Sequence, residues 1–106
     1  MTSQDVDLSL IRRFKSRAER ALPNRIARIV LFGSRARREA TRRSDWDVAV
    51  ILKGQASSKD TLELADAAYD LIVETGETIH PIALSEDGQG ASPLLLDHIA
   101  MEGIRV

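Results

Sequence analysis

Two aspartates, Asp45 and Asp47, stand two residues apart at the head of an apolar run from Trp46 to Leu52. Alternate side chains of a strand share a face, so Asp45 and Asp47 point one way, Trp46 and Val48 the other. Two carboxylates on one face repel each other unless a cation sits between them. A hard divalent cation such as Mg2+ takes oxygen ligands and would relieve the pair. Ser44-Asp45 alone could be turn chemistry. Asp47 lies inside the apolar run, where an unpartnered carboxylate is costly, and so it reads as part of a site. Upstream, the apolar run Ile29 to Phe32 is stopped by Gly33 and Ser34. Glycine lets a backbone turn tightly and approach a ligand. A serine after it adds a hydroxyl and an amide, and a helix starting there would turn free N–H groups toward an anion. Metal on one strand and phosphate donors at the end of its neighbour are the parts of phosphoryl or nucleotidyl transfer.

The runs Gly33-Ser34-Arg35-Ala36-Arg37 and Ser44-Asp45-Trp46-Asp47-Val48 resemble the nucleotidyltransferase signature of the polymerase-beta-like superfamily. Within it they look most like the minimal nucleotidyltransferases, small single-domain proteins paired with HEPN proteins in bacterial toxin–antitoxin operons. The closing run, Ser92 to Ile104, is similar to that group as well. The resemblance implies an α/β (α+β) fold, a small mixed β-sheet with flanking helices. It implies Mg2+ on Asp45 and Asp47, and ATP or another nucleoside triphosphate on Gly33, Ser34 and Ser44, with Arg37 standing at the motif's arginine. The implied reaction moves AMP to an acceptor hydroxyl on a partner protein. That partner would be a HEPN-type toxin supplied in trans, which makes this chain an antitoxin.

Two positions depart from the pattern. Where such proteins commonly carry glycine after the motif arginine, this chain has Arg38. Catalytic members also resemble one another in a third carboxylate on a later strand, and here His80 stands at that position. Neutral imidazole is a poor match for Mg2+, and Glu77 falls on the other face by alternation. The second reading is therefore a catalytically degenerate module of the same fold that binds nucleotide or a partner without transfer.

These residues must be held by few elements. With 106 residues the chain has room for one small domain, 1–106. Leu8, Ile11, Phe14, Ala18 and Leu22 recur at helical steps and predict an amphipathic helix over Asp7 to Ala21, ended by Pro23. Arg35 to Thr41 is short and polar, one or two helical turns presenting side chains near the phosphate site. Arg42 and Arg43 match nothing in the signature and read as exposed loop. After a loop from Gly54 to Ser58, a helix runs from Lys59 to Thr75, capped by Ser57 or Ser58 and stopped by Gly76. Its apolar stripe is Leu62, Ala65, Tyr69, Ile72 and Val73, which places Tyr69 in the core. Thr78 to Leu84 is a strand, at an edge or irregular because Pro81 cannot donate to a ladder. A loop over Ser85 to Ala91 leads to a last helix opened by Ser92-Pro93 and closed by Gly103.

Net charge is −1, with 12 Lys/Arg against 4 Asp/Glu in residues 1–44 and 3 against 12 in residues 45–106. A basic half attracts phosphates or an acidic partner surface, or the two halves offset each other as solvated faces. Cysteine is absent, which excludes disulfides and thiolate metal sites. No run is long and apolar enough to span a membrane, and a cytoplasmic location is expected. Aromatics make up 4% of the chain, too few to stack on RNA, so no RNA partner is expected.

Overall fold

Alternation along one strand decides the architecture. In the segment from Trp46 to Leu52, Trp46, Val48, Val50 and Leu52 are buried in one core cluster, while Ala49 and Ile51 belong to another. Both faces of this strand are therefore covered, and both need helices. The computed structural model describes residues 6–41 and 43–106, so Arg42 lies outside the described residues. In chain order the elements are α1 (Ser9–Ala21), β1 (Ile26–Phe32), β2 (Trp46–Leu52), α2 (Ser58–Thr75), β3 (Ile79–Ser85), α3 (Pro93–Glu102) and β4 (Ile104–Arg105). The strands form one sheet in the order β3-β2-β1-β4. β1 runs antiparallel to β2 and β4, and β2 runs parallel to β3 across the α2 connection. This is the expected small mixed sheet with flanking helices.

α1 and α2 cover one face. Ile11, Phe14 and Ala18 of α1 and Leu64, Ala68 and Leu71 of α2 pack on Ile29, Leu31, Val48 and Val50. α3 covers part of the other face, where Ile99 packs near Val30, Ala49 and Ile51. Asp47 shares that second face with Ala49 and Ile51, so the aspartate opens onto the α3 side.

Several boundaries follow local chemistry. At α2, the Ser57 hydroxyl accepts from the Asp60 N–H at 3.2 Å and the Asp60 carboxylate accepts from the Ser57 N–H at 3.0 Å. This reciprocal box satisfies two otherwise orphaned donors. Gly76 ends the helix in the left-handed region at φ 74°. Ser92 caps α3 through the Leu95 N–H, with Pro93 in the first turn. Pro81 lies on β3, an edge strand, as its missing N–H requires. On the same strand the Ala83 N–H donates to the Thr61 hydroxyl at 3.1 Å, which further blunts the edge.

Other expectations are corrected. α1 starts at Ser9, because Asp7 accepts from the Ser9 N–H at 3.0 Å and closes a turn before the helix. β1 begins three residues earlier than its apolar run, at Ile26, since pairing with β2 continues through the exposed Arg28. β3 is shifted by one residue, to Ile79–Ser85. No helix forms over Arg35 to Thr41; the chain makes consecutive turns there, closed by the Gly33 carbonyl and by the Ser34 carbonyl, which accepts from the Glu39 N–H at 3.0 Å. β4, not anticipated, pairs Val30 with Arg105 and Leu31 with Ile104. The largest correction concerns α2. Leu62, Tyr69 and Val73 are exposed, and the buried face is Leu64, Ala68 and Leu71. Both arcs have helical spacing; the arc of Leu64, Ala68 and Leu71 lies against α1 and the sheet, and of the expected stripe Ile72 is partly buried beside it. No helix among the described residues is long and apolar enough to cross a membrane.

Candidate functional site

Strand pairing gathers three of the anticipated residues at one end of the sheet. Phe32 pairs with Asp47, and Asp47 pairs with His80. Gly33, the residue after Phe32, adopts φ +79°. A Cβ there would collide with the Asp47 carboxylate at Oδ2. Gly33 is thus required twice, by its backbone conformation and by the space the carboxylate occupies. On the other side of Asp47, His80 Nδ1 lies 3.4 Å from Oδ1. The Asp47 side chain keeps 31% of its surface exposed and His80 keeps 64%, so this corner is open to a ligand.

Asp45 is exposed, immediately before β2, and Trp46 between the two aspartates is buried. Trp46 is held from two sides. Its indole N–H donates to Glu77 Oε1 at 2.9 Å, and the Arg35 guanidinium lies 4.5 Å from its ring centroid. Arg35 also donates to the Ser44 carbonyl at 3.0 Å and approaches Glu77 at 3.6 Å. Arg35, Trp46 and Glu77 therefore tie the approach to the aspartates back to the sheet. This positioning role was missed among the five arginines of residues 35–43; the signal was an arginine and a tryptophan flanking the same loop, a cation–π pair in prospect.

The turn after β1 is built on Gly33, whose carbonyl accepts the N–H groups of Ala36 at 3.0 Å and Arg37 at 3.1 Å. The Ser34 and Arg35 amides donate to no backbone carbonyl of another turn or loop among the described residues. Two anticipated binding residues are engaged elsewhere. The Ser44 hydroxyl accepts from the Thr41 N–H at 2.9 Å and closes the loop before β2. Arg37 bridges Glu39 at 2.8 Å and Glu102 of α3 at 2.7 Å. Hydrogen bonds to Glu39, then to Glu102, raise the Arg37 pKa above its ordinary value. The hydrogen bond from Arg37, with its charge, outweighs burial and lowers that of Glu102. Arg38, at the position expected to favour glycine, adopts φ +61°, so the left-handed turn is kept although the residue is not glycine.

Among the described residues no group of three or more His, Cys, Asp or Glu side chains converges as a metal cage. Asp45 is exposed and Asp47 is partly exposed, and carboxylate oxygens are the donor type a hard cation takes.

A family model described as "Polymerase beta, Nucleotidyltransferase" matches residues 15–106. No curated protein matches the chain in sequence. Among solved structures, a toxin–antitoxin complex with AMP-PNP aligns with a TM-score of 0.68 at 22% identity, covering 89% of this chain and 69% of that one. A mutant MntA-HpeT toxin–antitoxin structure aligns at 0.67 and 20% identity, with the same 89% and 69% coverage. A structure described as a nucleotidyltransferase from Sulfolobus solfataricus aligns at 0.59 and 20% identity, over 92% of this chain and 77% of that one.

Proposed function

This chain belongs to the polymerase beta nucleotidyltransferase family, and we propose from that premise that it moves a nucleoside monophosphate, AMP from ATP, to an acceptor hydroxyl on a partner protein. The observation that carries the reading is the corner where the Gly33 backbone turns against the Asp47 carboxylate. There a turn that would approach a phosphate meets a carboxylate that would hold a metal. Gly33 and Ser34 would cradle the triphosphate, with Arg37 reaching it after release from Glu102. Asp45 and Asp47 would hold Mg2+, which supplies charge neutralisation at the phosphates. The acceptor oxygen forms a bond to the alpha-phosphorus. The bond from that phosphorus to the bridging oxygen breaks, and pyrophosphate leaves with the electron pair. His80, whose Nδ1 lies 3.4 Å from Asp47 Oδ1, would take the hydroxyl proton. The structural neighbours described as toxin–antitoxin, one with AMP-PNP, support a nucleotide and a protein partner; a HEPN-type acceptor in trans, an antitoxin role and a cytoplasmic location complete the proposal.

ATP labelled at the alpha- or the gamma-phosphate, incubated with the chain, Mg2+ and host lysate, tests this. Label on a macromolecule from the alpha position alone is the expected result. Asp47→Asn should abolish it; undiminished transfer would remove Asp47 from the site. The absence of a three-residue metal cage among the described residues favours a second reading, a degenerate module that binds without transfer. His80→Asp separates the two. If a silent wild type gains transfer, the natural chain is degenerate. If an active wild type loses it, His80 is a working part of the site.

A further inference from the structure

α2 is apolar on two faces, and only one is used by the fold. Leu64, Ala68 and Leu71 are buried. On the outer face Leu62, Ala65, Tyr69 and Val73 follow one another at three- and four-residue steps. Leu62, Tyr69 and Val73 are 67%, 64% and 66% exposed, large apolar side chains left in water. A contiguous exposed apolar patch marks an interaction surface.

The charges beside the stripe say what covers it. Glu63, Asp66, Asp70 and Glu74 run down one border of the helix. α1 neutralises the last two, Arg17 pairing with Asp70 at 3.2 Å and Arg13 with Glu74 at 2.7 Å. Glu63 and Asp66 make no ion pair within 4 Å among the described residues, although Arg17 and Arg20 of α1 line the same surface hollow. A second copy is a poor occupant. Two α2 helices packed antiparallel about a two-fold axis bring like borders together. Asp66 would then face the copy's Asp70, and like charges across an interface are costly. An opposite border would instead supply the missing partners of Glu63 and Asp66.

We infer that the outer face of α2 docks an amphipathic helix of a partner protein, one whose apolar side is bordered by Lys or Arg. Leu62, Tyr69 and Val73 are the apolar anchors, and Glu63 and Asp66 select the basic border. The stripe lies on the face of the sheet away from Asp47, so a docked partner leaves the Gly33–Asp47–His80 corner open. The inference does not depend on nucleotidyl transfer.

Two fluorescent helical peptides with the same leucine stripe, one bordered by lysine and one by glutamate, would be titrated with the full chain. The lysine-bordered peptide should bind and the glutamate-bordered one should not. Leu62→Asp, at an exposed position that leaves the fold intact by circular dichroism, should weaken binding at least about tenfold, the loss of one anchor. Combined Glu63→Lys and Asp66→Lys should reverse the preference. Equal binding of the two peptides, binding of neither, or binding indifferent to Leu62→Asp would overturn the inference. A concentration-dependent dimer in sedimentation, abolished by Leu62→Asp, would assign the face to a second copy and overturn it too.

Discussion

Gly33 shows how much one missing atom decides. Gly33 and Gly54 share the left-handed region, at φ +79° and +78°. A Cβ on Gly54 would meet nothing within 4 Å, whereas on Gly33 it would strike the Asp47 carboxylate. Gly54→Ala therefore carries only the backbone cost of a left-handed alanine, about 1 kcal/mol. Gly33→Ala carries that cost and must also displace Asp47, so its loss should be larger, about 2–3 kcal/mol. Thermal or urea unfolding of the two variants side by side measures the difference, and equal losses would mean the carboxylate does not rest on Gly33. Arg38 makes the complementary point. It holds φ +61° with its side chain exposed, so the strain there is backbone strain alone.

At the scale of elements, what was legible in the sequence was local. β2 could be bounded at Trp46 and Leu52 because Ser44-Asp45 and Lys53-Gly54 punctuate it on both sides. Ser57, Asp60 and Gly76 announce α2, and Ser92-Pro93 announces α3, because each cap is a hydrogen bond or a backbone angle made within a few residues. Asp47 stood out because a carboxylate in an apolar strand needs a reason. What stayed hidden was decided by partners distant in sequence. Which arc of α2 turns inward depends on α1 and the sheet, so Tyr69 was misplaced. β4 has two residues and exists only because β1 offers an edge. The start of β1 at Ile26 is fixed by pairing with Leu52, not by its own apolar run. Arg37 fits the signature, yet in this structure Glu102, far along the chain on α3, has claimed it. Whether the signature arginine reaches a phosphate depends on that contest, which no spacing rule records.

At the scale of the molecule, the opposite charges of the two halves become ion pairs. Arg13–Glu74, Arg17–Asp70, Arg25–Asp60, Arg35–Glu77 and Arg37–Glu102 each join a residue of the basic half to one of the acidic half. Among these carboxylates, pKa values are lowered by hydrogen bonds from their arginines: Arg25 on Asp60, Arg13 on Glu74, Arg37 on Glu102. A carboxylate whose folded pKa is depressed contributes stability above its unfolded value, about 4. That contribution is lost as pH falls through the folded value. Stability should therefore stay level from neutral pH down to about 5 and fall steadily below about 4 as these carboxylates take up protons. Asp60 should dominate the acid limb, since its side chain is 10% exposed and its partner is 38% exposed. The Arg13–Glu74 pair, about half exposed on both sides, should contribute little and fade with added salt. Chemical unfolding across that pH range, with wild type and Asp60→Asn compared, measures it. The variant should be less stable at neutral pH and should lose part of the acid slope. An unchanged slope would mean that the charge asymmetry of the chain is only a pair of solvated faces and does not hold its two halves together.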